Sequence, residues 1–133
     1  MVIINVHLEA FVEETREKQI QAVLEKFQKY VHTVPVILCG DFNSTPPGAT
    51  NPWQKDSVIH SILTLKNIKM AISLEENFKN EKAYYTFNSE TPDRRIDYFF
   101  YNPKFIQVLD TRVVSEANQI SDHLPVWMKF VIK

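Results

Sequence analysis

A chain of 133 residues, 44% of them hydrophobic and 23% charged, is typical of one globular domain with a single core. The formal net charge of −1 disfavours a nucleic-acid binder without chemistry, because such proteins hold the phosphate backbone with a basic stripe. Cys39 is the only cysteine, which excludes an internal disulfide and fits the reducing cytoplasm, although secretion of a longer precursor stays open. The sequence contains no apolar run long enough to span a bilayer, so we expect no membrane span.

The first apolar segment, residues 1–8, predicts a strand. Strand side chains alternate between the two faces, so Asn5 and His7 project from the same face. Polar side chains on an otherwise apolar strand need hydrogen-bonding partners. The pair is either a satisfied core histidine with an amide neighbour or part of a functional site, and the strand pattern leaves both interpretations open.

An amphipathic helix is predicted over residues 13–31, and a short apolar strand that ends at Cys39 follows it. Cys39 itself is expected to be a buried core thiol. Gly40 permits a tight turn, and Asp41 and Asn43 come next, at the end of the strand. This oxygen-rich pair suits a hard cation or a phosphate with its water, and the alternative is an Asx turn.

The loop Thr45–Pro52 is rich in proline, and we expect it to border any site, while specificity is expected to lie in loops such as Thr45–Asp56. A second helix is predicted over residues 57–65, with Ser57 as a candidate N-cap. Residues 67–80 are polar and give no clear pattern. The aromatic segment Tyr84–Phe87 predicts a strand.

The next strand is predicted over residues 95–101, and Asp97 lies within its aromatic and aliphatic run. A carboxylate in such surroundings costs free energy unless it is paired or hydrogen-bonded. The best candidate for its partner is His123. Arg95, which is expected on the same face of this strand, is the alternative partner.

The segment Ile120–Val126 places Asp122 beside His123, directly before a predicted strand over residues 126–133. A carboxylate next to an imidazole at the mouth of a strand suits acid–base chemistry or a metal site, and the alternative is a surface turn. With a further strand predicted over residues 105–114, the order is strand, helix, strand, helix and then several strands. This order predicts an α/β fold with a mixed sheet.

Four polar clusters occur in order along the chain: Asn5-Val6-His7-Leu8, Gly40-Asp41-Phe42-Asn43, Arg95-Ile96-Asp97-Tyr98 and Ser121-Asp122-His123. Their order and spacing resemble the endonuclease/exonuclease/phosphatase superfamily, the metal-dependent phosphodiesterases typified by DNase I-like nucleases, sphingomyelinases and inositol-phosphate phosphatases. The resemblance covers the chain from end to end and implies one partial domain over residues 1–133. The implied fold is a mixed, largely antiparallel sheet with flanking helices, like the C-terminal half of a four-layer DNase I-like α/β sandwich.

The resemblance also implies which groups carry out the acid–base chemistry. Asp41 matches the residue that orients or activates the attacking water. Asp97 matches the carboxylate that orients His123, and His123 matches the acid–base or phosphate-contacting imidazole. These roles agree with the chemistry, because water attacking a phosphodiester anion needs a base and donors for the developing charge.

The same resemblance implies the groups that hold substrate and metal. His7 matches the histidine that contacts the scissile phosphate, Asn5 supports it, and Asn43 matches a ligand of the phosphate or of a metal-bound water. Asp122 matches a metal ligand, with Asp41 as a further candidate. The implied cofactor is Mg²⁺, with Mn²⁺ or Ca²⁺ as alternatives, since carboxylate and amide oxygens suit hard cations. We expect all these side chains to meet in one polar hollow sized for a phosphate.

The implied activity is divalent-metal-dependent phosphoester hydrolysis on nucleic acid, inositol phosphates or phospholipid head groups, and no sequence feature selects among these substrates. Family members are much longer, and their N-terminal half supplies an Asn and a Glu that hold the metal. We therefore expect this chain alone to bind Mg²⁺ weakly and to turn over poorly. We also expect an apolar sheet face to drive self-association or pairing with the missing N-terminal half. The alternative is a catalytically incomplete half-domain fragment or an interaction module.

Overall fold

A computed structural model describes residues 1–53 and 56–133, so residues 54 and 55 of the Thr45–Asp56 loop lie outside the described residues. The described strands are β1 (Val2–His7), β2 (Val36–Asp41), β3 (Lys69–Met70), β4 (Asp97–Tyr101), β5 (Ile106–Val113) and β6 (Val126–Ile132). The described α-helices are α1 (Glu13–Tyr30), α2 (Val58–Leu63) and α3 (Leu74–Lys79). None of these helices is long and apolar enough to cross a membrane.

Four strands form one mixed sheet in the order β1-β2-β4-β3, with β1 parallel to β2 and the other pairs antiparallel. A separate antiparallel ladder joins β5 to β6, and β6 contacts β4. The connection between the parallel strands β1 and β2 contains α1, because parallel neighbours need a long crossover. The predicted class is confirmed: an α/β fold with a mixed, largely antiparallel sheet and flanking helices.

The hydrophobic core lies between the helices and one face of the sheet. Ile20, Leu24 and Phe27 recur at helical spacing and are buried on the inner face of α1. Leu38 of β2 and Phe100 of β4 are fully buried in the same cluster. Each large apolar side chain buried in this way contributes about 1.5–3 kcal/mol, so this layer holds the sheet firmly against α1.

One ion pair also lies inside the protein. Arg16, on the inner face of α1, pairs with Asp56 at 2.8 Å between Nε and Oδ2, and both side chains are inaccessible to solvent. The Nη1 of Arg16 donates to the carbonyl of Glu9 at 2.8 Å, and the Oδ1 of Asp56 accepts from the Ser44 hydroxyl at 2.5 Å. The pair therefore ties α1 to the segments that follow β1 and β2.

The face of the sheet opposite the core is accessible. Ile3 is 58% exposed, and Asn5 and His7 are exposed beside it. Cys39 is half-buried on this face, so the expected buried core thiol is wrong. Strand alternation is the reason, because it turns Leu38 into the core and its neighbour Cys39 to the other side. Even there, partial burial raises the pKa of the Cys39 thiol.

The predicted strand at Tyr84–Phe87 is wrong. Glu81–Tyr84 forms a short 3-10 helix, and the rest of the segment makes isolated bridges instead of a ladder. The Oγ1 of Thr86 accepts from the backbone N–H groups of Ile96 and Asp97 at 3.2 and 3.3 Å. A side-chain oxygen thus binds the donors that a neighbouring strand would otherwise bind, which local β-propensity does not predict.

Two helix starts differ from expectation. The polar segment without a clear pattern contains α3, whose N-cap is Ser73: its Oγ accepts from the backbone N–H of Glu76 at 3.1 Å. Serine followed three residues later by glutamate is a capping-box signal that could have predicted this helix. Ser57 occupies the N-cap position of α2, but its hydroxyl donates to Glu17 Oε1 at 2.6 Å instead of capping the helix.

Replacing Gly40 with Ala is expected to destabilise the protein by about 3 kcal/mol or more, since two penalties add. Gly40 has a φ of +123°, and a Cβ there would lie 2.0 Å from the carbonyl oxygen of Val6. Gly48 is the matched control, because its φ is also positive at +85° but a Cβ would meet only the Phe78 ring at 3.5 Å. Urea unfolding should give a loss of only about 1 kcal/mol for Gly48→Ala. Equal losses for the two variants would contradict the close backbone approach.

Candidate active site

The register of three strands places His7, Asp41 and Asp97 in one row. His7 lies opposite Asp41 in the β1–β2 pair, and Asp41 lies opposite Asp97 in the β2–β4 pair. Residues directly opposite each other in neighbouring strands project from the same face of a sheet. The ends of β1 and β2 and the start of β4 therefore bring three polar side chains together at one edge.

Asp41 and Asn43 form a local turn that holds both side chains. The backbone N–H of Asn43 donates to Asp41 Oδ1 at 2.7 Å, and the Asn43 side-chain amide donates to Asp41 Oδ2 at 3.2 Å and to the Leu8 carbonyl at 2.9 Å. Asn43 has a φ of 46°, a left-handed conformation that asparagine tolerates better than most residues. The Asx turn considered as an alternative is thus present, and it positions the oxygen-rich pair.

His123 joins this row from the segment before β6. Its Nδ1 lies 2.9 Å from Asp97 Oδ2, and its Nε2 lies 3.8 Å from Asp41 Oδ2. His7 approaches the same Asp41 oxygen with its Nε2 at 3.4 Å. The ring of Phe87 packs against the His123 ring with 5.0 Å between their centroids. The structure therefore brings both histidines and both carboxylates to one place.

Arg95 does not pair with Asp97, so this alternative is wrong. The Arg95 side chain is 2% exposed, and its Nη1 donates to the Ile72 carbonyl at 3.2 Å and to Asn77 Oδ1 at 3.1 Å. The reason is that β4 begins only at Asp97, so the strand alternation that would align the two side chains does not extend back to Arg95.

One group of side chains has the geometry of a cation site. Asp41, Asp97 and His123 each offer a ligand atom, and these atoms lie within 4.8 Å of one another. The Asp122 carboxylate is outside this group; it is exposed and accepts from the Ser121 hydroxyl at 3.2 Å. It nevertheless borders the same cleft as His123.

The electrostatics of the group favour proton transfer. Burial raises the pKa of the Asp41 carboxyl, and the negative charge of Asp97 adds to this, while the Asn43 N–H and the two histidines oppose it. The hydrogen bond to Asp97 raises the pKa of His123 against the opposing effect of burial. The result is a carboxylate that is more basic than usual beside an imidazole that keeps its proton more readily than usual.

The predicted single hollow is in fact two hollows that share His123, so that part of the expectation is wrong. One, of about 270 Å³, is bordered by His7, Asp41, Asn43 and Asp122, and is called the catalytic cleft below. The other, of about 310 Å³, is bordered by Asn5, Cys39 and Asp97. His123 borders both hollows, and Asn5 thus borders a different hollow from the Asp41–Asn43 pair.

A sequence profile of the Endonuclease/Exonuclease/phosphatase family matches residues 4–123. The chain belongs to this family. The membership predicted from the four clusters is confirmed, and phosphoester hydrolysis is the activity that the family indicates. Among curated proteins, no sequence matches this chain.

Solved structures share the fold. A mannosyl-6-phosphatase from Bacteroides thetaiotaomicron is 23% identical, with a TM-score of 0.69 over 97% of this chain and 50% of its own. The human Nocturnin catalytic domain with a bound sulfate anion is 21% identical, with a TM-score of 0.68 over 99% and 47%. D. rerio TDP2 in complex with a single-stranded DNA product is 20% identical, with a TM-score of 0.70 over 97% and 55%. The chain spans about half the length of these structures.

The sequence motifs did not predict one wall of the catalytic cleft. Besides the polar groups, the cleft is bordered by Phe11, Trp53, Phe87 and Arg94. The Arg94 guanidinium lies over the Trp53 ring, 4.1 Å from its centroid, and 5.5 Å from the Phe87 centroid. These residues come from three separate loops, and no spacing in the sequence links them. The proline-rich loop Thr45–Pro52, which is expected to border the site, ends one residue before Trp53.

Replacing Asp97 with Asn is expected to lower the titration midpoint of His123, which in the native chain should exceed the ordinary histidine value of 6.5. The reason is that the substitution removes the charged acceptor of the Nδ1 proton. The His123–Asp97 pair stabilises the fold below pH 6.5, and this contribution is lost as the pH rises through the pKa of His123 in the folded chain. Asp97→Asn should therefore lower the free energy of unfolding more at pH 6 than at pH 9. NMR titration of the imidazole checks the midpoint, with Asp110→Asn on β5 as the control. An unchanged midpoint in Asp97→Asn would contradict the pairing.

Proposed function

We propose that this chain carries the acid–base side of a divalent-metal-dependent phosphoester hydrolase in which water attacks phosphorus. The observation that carries the proposal is the convergence of Asp41, Asp97 and His123, whose ligand atoms lie within 4.8 Å of one another. Polar groups with shifted pKa values in a cleft are a frequent sign of acid–base chemistry, and here the pKa values of Asp41 and His123 are both raised.

Asp97 acts by orienting His123. Its carboxylate accepts the Nδ1 proton across 2.9 Å, so the imidazole presents Nε2 to the catalytic cleft. With its raised pKa, His123 holds a proton there that can be donated to a phosphoryl oxygen as negative charge develops. Asp97 is thus a positioning residue, and His123 makes the contact with substrate.

Asp41 directs the attacking water. Its raised pKa makes it a better general base than an exposed carboxylate, and its hydrogen bonds to Asn43 fix its orientation. Asn43 binds the phosphate or a metal-bound water beside it. His7 contacts the scissile phosphate from the end of β1, with Asn5 in support two residues earlier on the same strand.

A hard divalent cation fits the donor set. The carboxylates of Asp41 and Asp97 provide oxygen ligands, which suit Mg²⁺ or Mn²⁺, with Ca²⁺ as a further alternative, while the protonated His123 would not bind the ion. Asp41 and Asp97 would hold the ion, and Asp122 would complete its shell from the edge of the cleft. When bound, such an ion polarises the phosphoryl oxygen and offsets its charge.

The substrate is proposed to be a phosphoester. Similar solved structures include a mannosyl-6-phosphatase and a TDP2 bound to a single-stranded DNA product, so the fold accommodates both small and polymeric phosphate compounds. The polar side chains of the catalytic cleft would contact only the phosphate of a substrate. Nucleic acid, inositol phosphates and phospholipid head groups all carry such a phosphate, so each suits the cleft.

A second candidate function is a half-domain that works only when paired. The accessible sheet face carries Ile3 at 58% exposure, and Val131 and Ile132 on β6 are 42% and 54% exposed. Exposed apolar side chains of this kind favour association, either with an N-terminal half-domain or with a second copy. Because the chain spans about half of the similar structures, we expect weak Mg²⁺ binding and poor turnover from the chain alone.

Replacing Asp41 with Asn is expected to weaken Mn²⁺ binding by about 10- to 100-fold, because a charged ligand is lost. Mn²⁺ broadens nearby NMR signals, so a titration locates the ion and gives its affinity. Asp110→Asn is the matched control, since this aspartate is exposed on β5. Broadening that is centred elsewhere, or that is unchanged in Asp41→Asn, would contradict the proposed site. Vigorous hydrolysis of a phosphodiester by the chain alone would contradict the half-domain candidate.

A further inference from the structure

We propose that the wall of the catalytic cleft formed by Phe11, Trp53, Phe87 and Arg94, here called the aromatic wall, binds a neutral polyhydroxylated ring. The substrate would then be a phosphate ester of a sugar or a cyclitol. This inference rests on the proposed function, because the phosphate of such a substrate would occupy the polar end of the same cleft. Hydrolysis forms a bond between the water oxygen and phosphorus, breaks the bond between phosphorus and the ester oxygen, and releases the sugar or cyclitol as an alcohol whose hydroxyl carries one proton of the water.

The aromatic wall offers apolar contact next to the polar groups. The cleft of about 270 Å³ is bordered by Trp53 and Phe11 as well as by Asp41 and His123. Trp53 is 37% exposed and Phe11 is 79% exposed, so both rings have free surface. A pyranose or cyclitol ring carries C–H groups that pack favourably on aromatic rings. The cleft volume suits one such ring and its phosphate, at the lower limit of ordinary ligand pockets.

Arg94 supplies a donor that is held in place. Its Nε and Nη2 donate to the two carboxylate oxygens of Asp93 at 2.6 and 2.8 Å, and its plane stacks on Trp53 at 4.1 Å. Among the described residues, nothing accepts a hydrogen bond from the remaining nitrogen, Nη1, and the side chain is 15% exposed. Because the guanidinium is fixed from two sides, an Nη1 bond to a substrate hydroxyl would cost little conformational entropy.

The local charge balance at this wall suits a neutral ring. Asp93 already balances the charge of Arg94. A substrate hydroxyl needs only one donor and loses little when its surroundings are electrically balanced. The oligonucleotide probe below tests the alternative of a polyanion.

The test measures ligand affinities by isothermal titration of the 133-residue chain in saturating Mg²⁺. The probes are inorganic phosphate, glucose 6-phosphate, myo-inositol monophosphate and a short single-stranded oligonucleotide. At least one ring phosphate should bind about tenfold more tightly than inorganic phosphate, as expected for one hydrogen bond to a charged donor plus ring contact. The comparison of the two ring phosphates distinguishes a sugar from a cyclitol.

Variants test whether the aromatic wall causes the preference for ring phosphates over inorganic phosphate. Arg94→Lys, which keeps the charge but loses the planar fork, and Trp53→Leu should each bring the ratio of ring-phosphate to inorganic-phosphate affinity towards one. Trp127→Leu on β6 is the matched control and should leave this ratio unchanged. Circular dichroism verifies that each variant is folded, and Arg94→Lys keeps the test informative if Trp53→Leu does not fold.

The outcomes separate the two proposals. If the native chain binds inorganic phosphate and His123→Ala does not, the proposed function is supported. If the ring phosphates then bind no more tightly than inorganic phosphate, only the aromatic-wall inference is overturned. An oligonucleotide that binds more tightly than both ring phosphates would overturn the inference in favour of nucleic acid. If none of the probes binds, the proposed function and the inference are both overturned.

Discussion

Replacing Asp56 with Ala is expected to lower the free energy of unfolding by about 3–5 kcal/mol, the largest stability effect that we foresee in this chain. The substitution leaves the Arg16 guanidinium inside the protein without its 2.8 Å partner. Within the part of the chain that the structure describes, nothing accepts a hydrogen bond from the fully buried Nη2 of Arg16, so the remaining charge has little alternative solvation there. The Ser44 hydroxyl and the Val58 N–H lose their common acceptor as well.

The exposed pair Glu14–Lys18 on the same helix is the control for this prediction. Its nitrogen and oxygen lie 2.6 Å apart, but the two side chains are 79% and 75% exposed, so Glu14→Ala should cost less than about 1 kcal/mol. Urea unfolding measures both variants. The double variant Arg16→Met/Asp56→Ala should recover part of the loss, because no uncompensated charge remains. A loss for Asp56→Ala no larger than that for Glu14→Ala would refute the buried pair.

Replacing His123 with Ala is expected to lower kcat/KM for phosphoester hydrolysis by about 100- to 10,000-fold, the range contributed by a positioned acid–base group. The substitution removes the only ring that contacts both Asp97 and Asp41 in the described residues. The effect should be measured in the proposed paired state, with the chain mixed with an N-terminal half-domain of the family and Mg²⁺ in excess, since we expect poor turnover from the chain alone.

His60→Ala is the matched control for this second prediction. His60 lies exposed on α2, away from the described border of the catalytic cleft, so kcat/KM should stay within about twofold of the native value. Asp97→Asn should give a smaller loss than His123→Ala, because the imidazole remains but its orientation weakens. Activity in His123→Ala that matches the His60→Ala control would exclude His123 from the chemistry.

Much of the secondary structure could be predicted from local patterns. The predicted helix over residues 13–31 is α1, and five strands occur within or close to their predicted ranges. Hydrophobic periodicity is a local property, so it needs no knowledge of distant contacts. The failure at Tyr84–Phe87 has the opposite cause: Thr86 is held by backbone groups ten and eleven residues away, and no local preference encodes such contacts.

The polar residues of the candidate site could be named from their motifs, but their arrangement could not. His7, Asp41 and Asp97 share a row only because β1, β2 and β4 pair in one register, and a shift of one residue would turn a side chain to the other face. The same register decides that Asn5 borders a different hollow from Asp41. Motif order therefore predicted which groups belong to the edge of the sheet, and strand pairing decided which of them touch.

By itself, the amino-acid sequence determined the α/β class, the family and the polar residues at the strand ends, because residue type and short-range periodicity are enough for these. Only the tertiary structure decided the buried Arg16–Asp56 pair and the stacking of Arg94 on Trp53. Each of these contacts joins residues about 40 positions apart. The free energy of such a contact depends on burial and distance, which arise only once the helices have packed against the sheet.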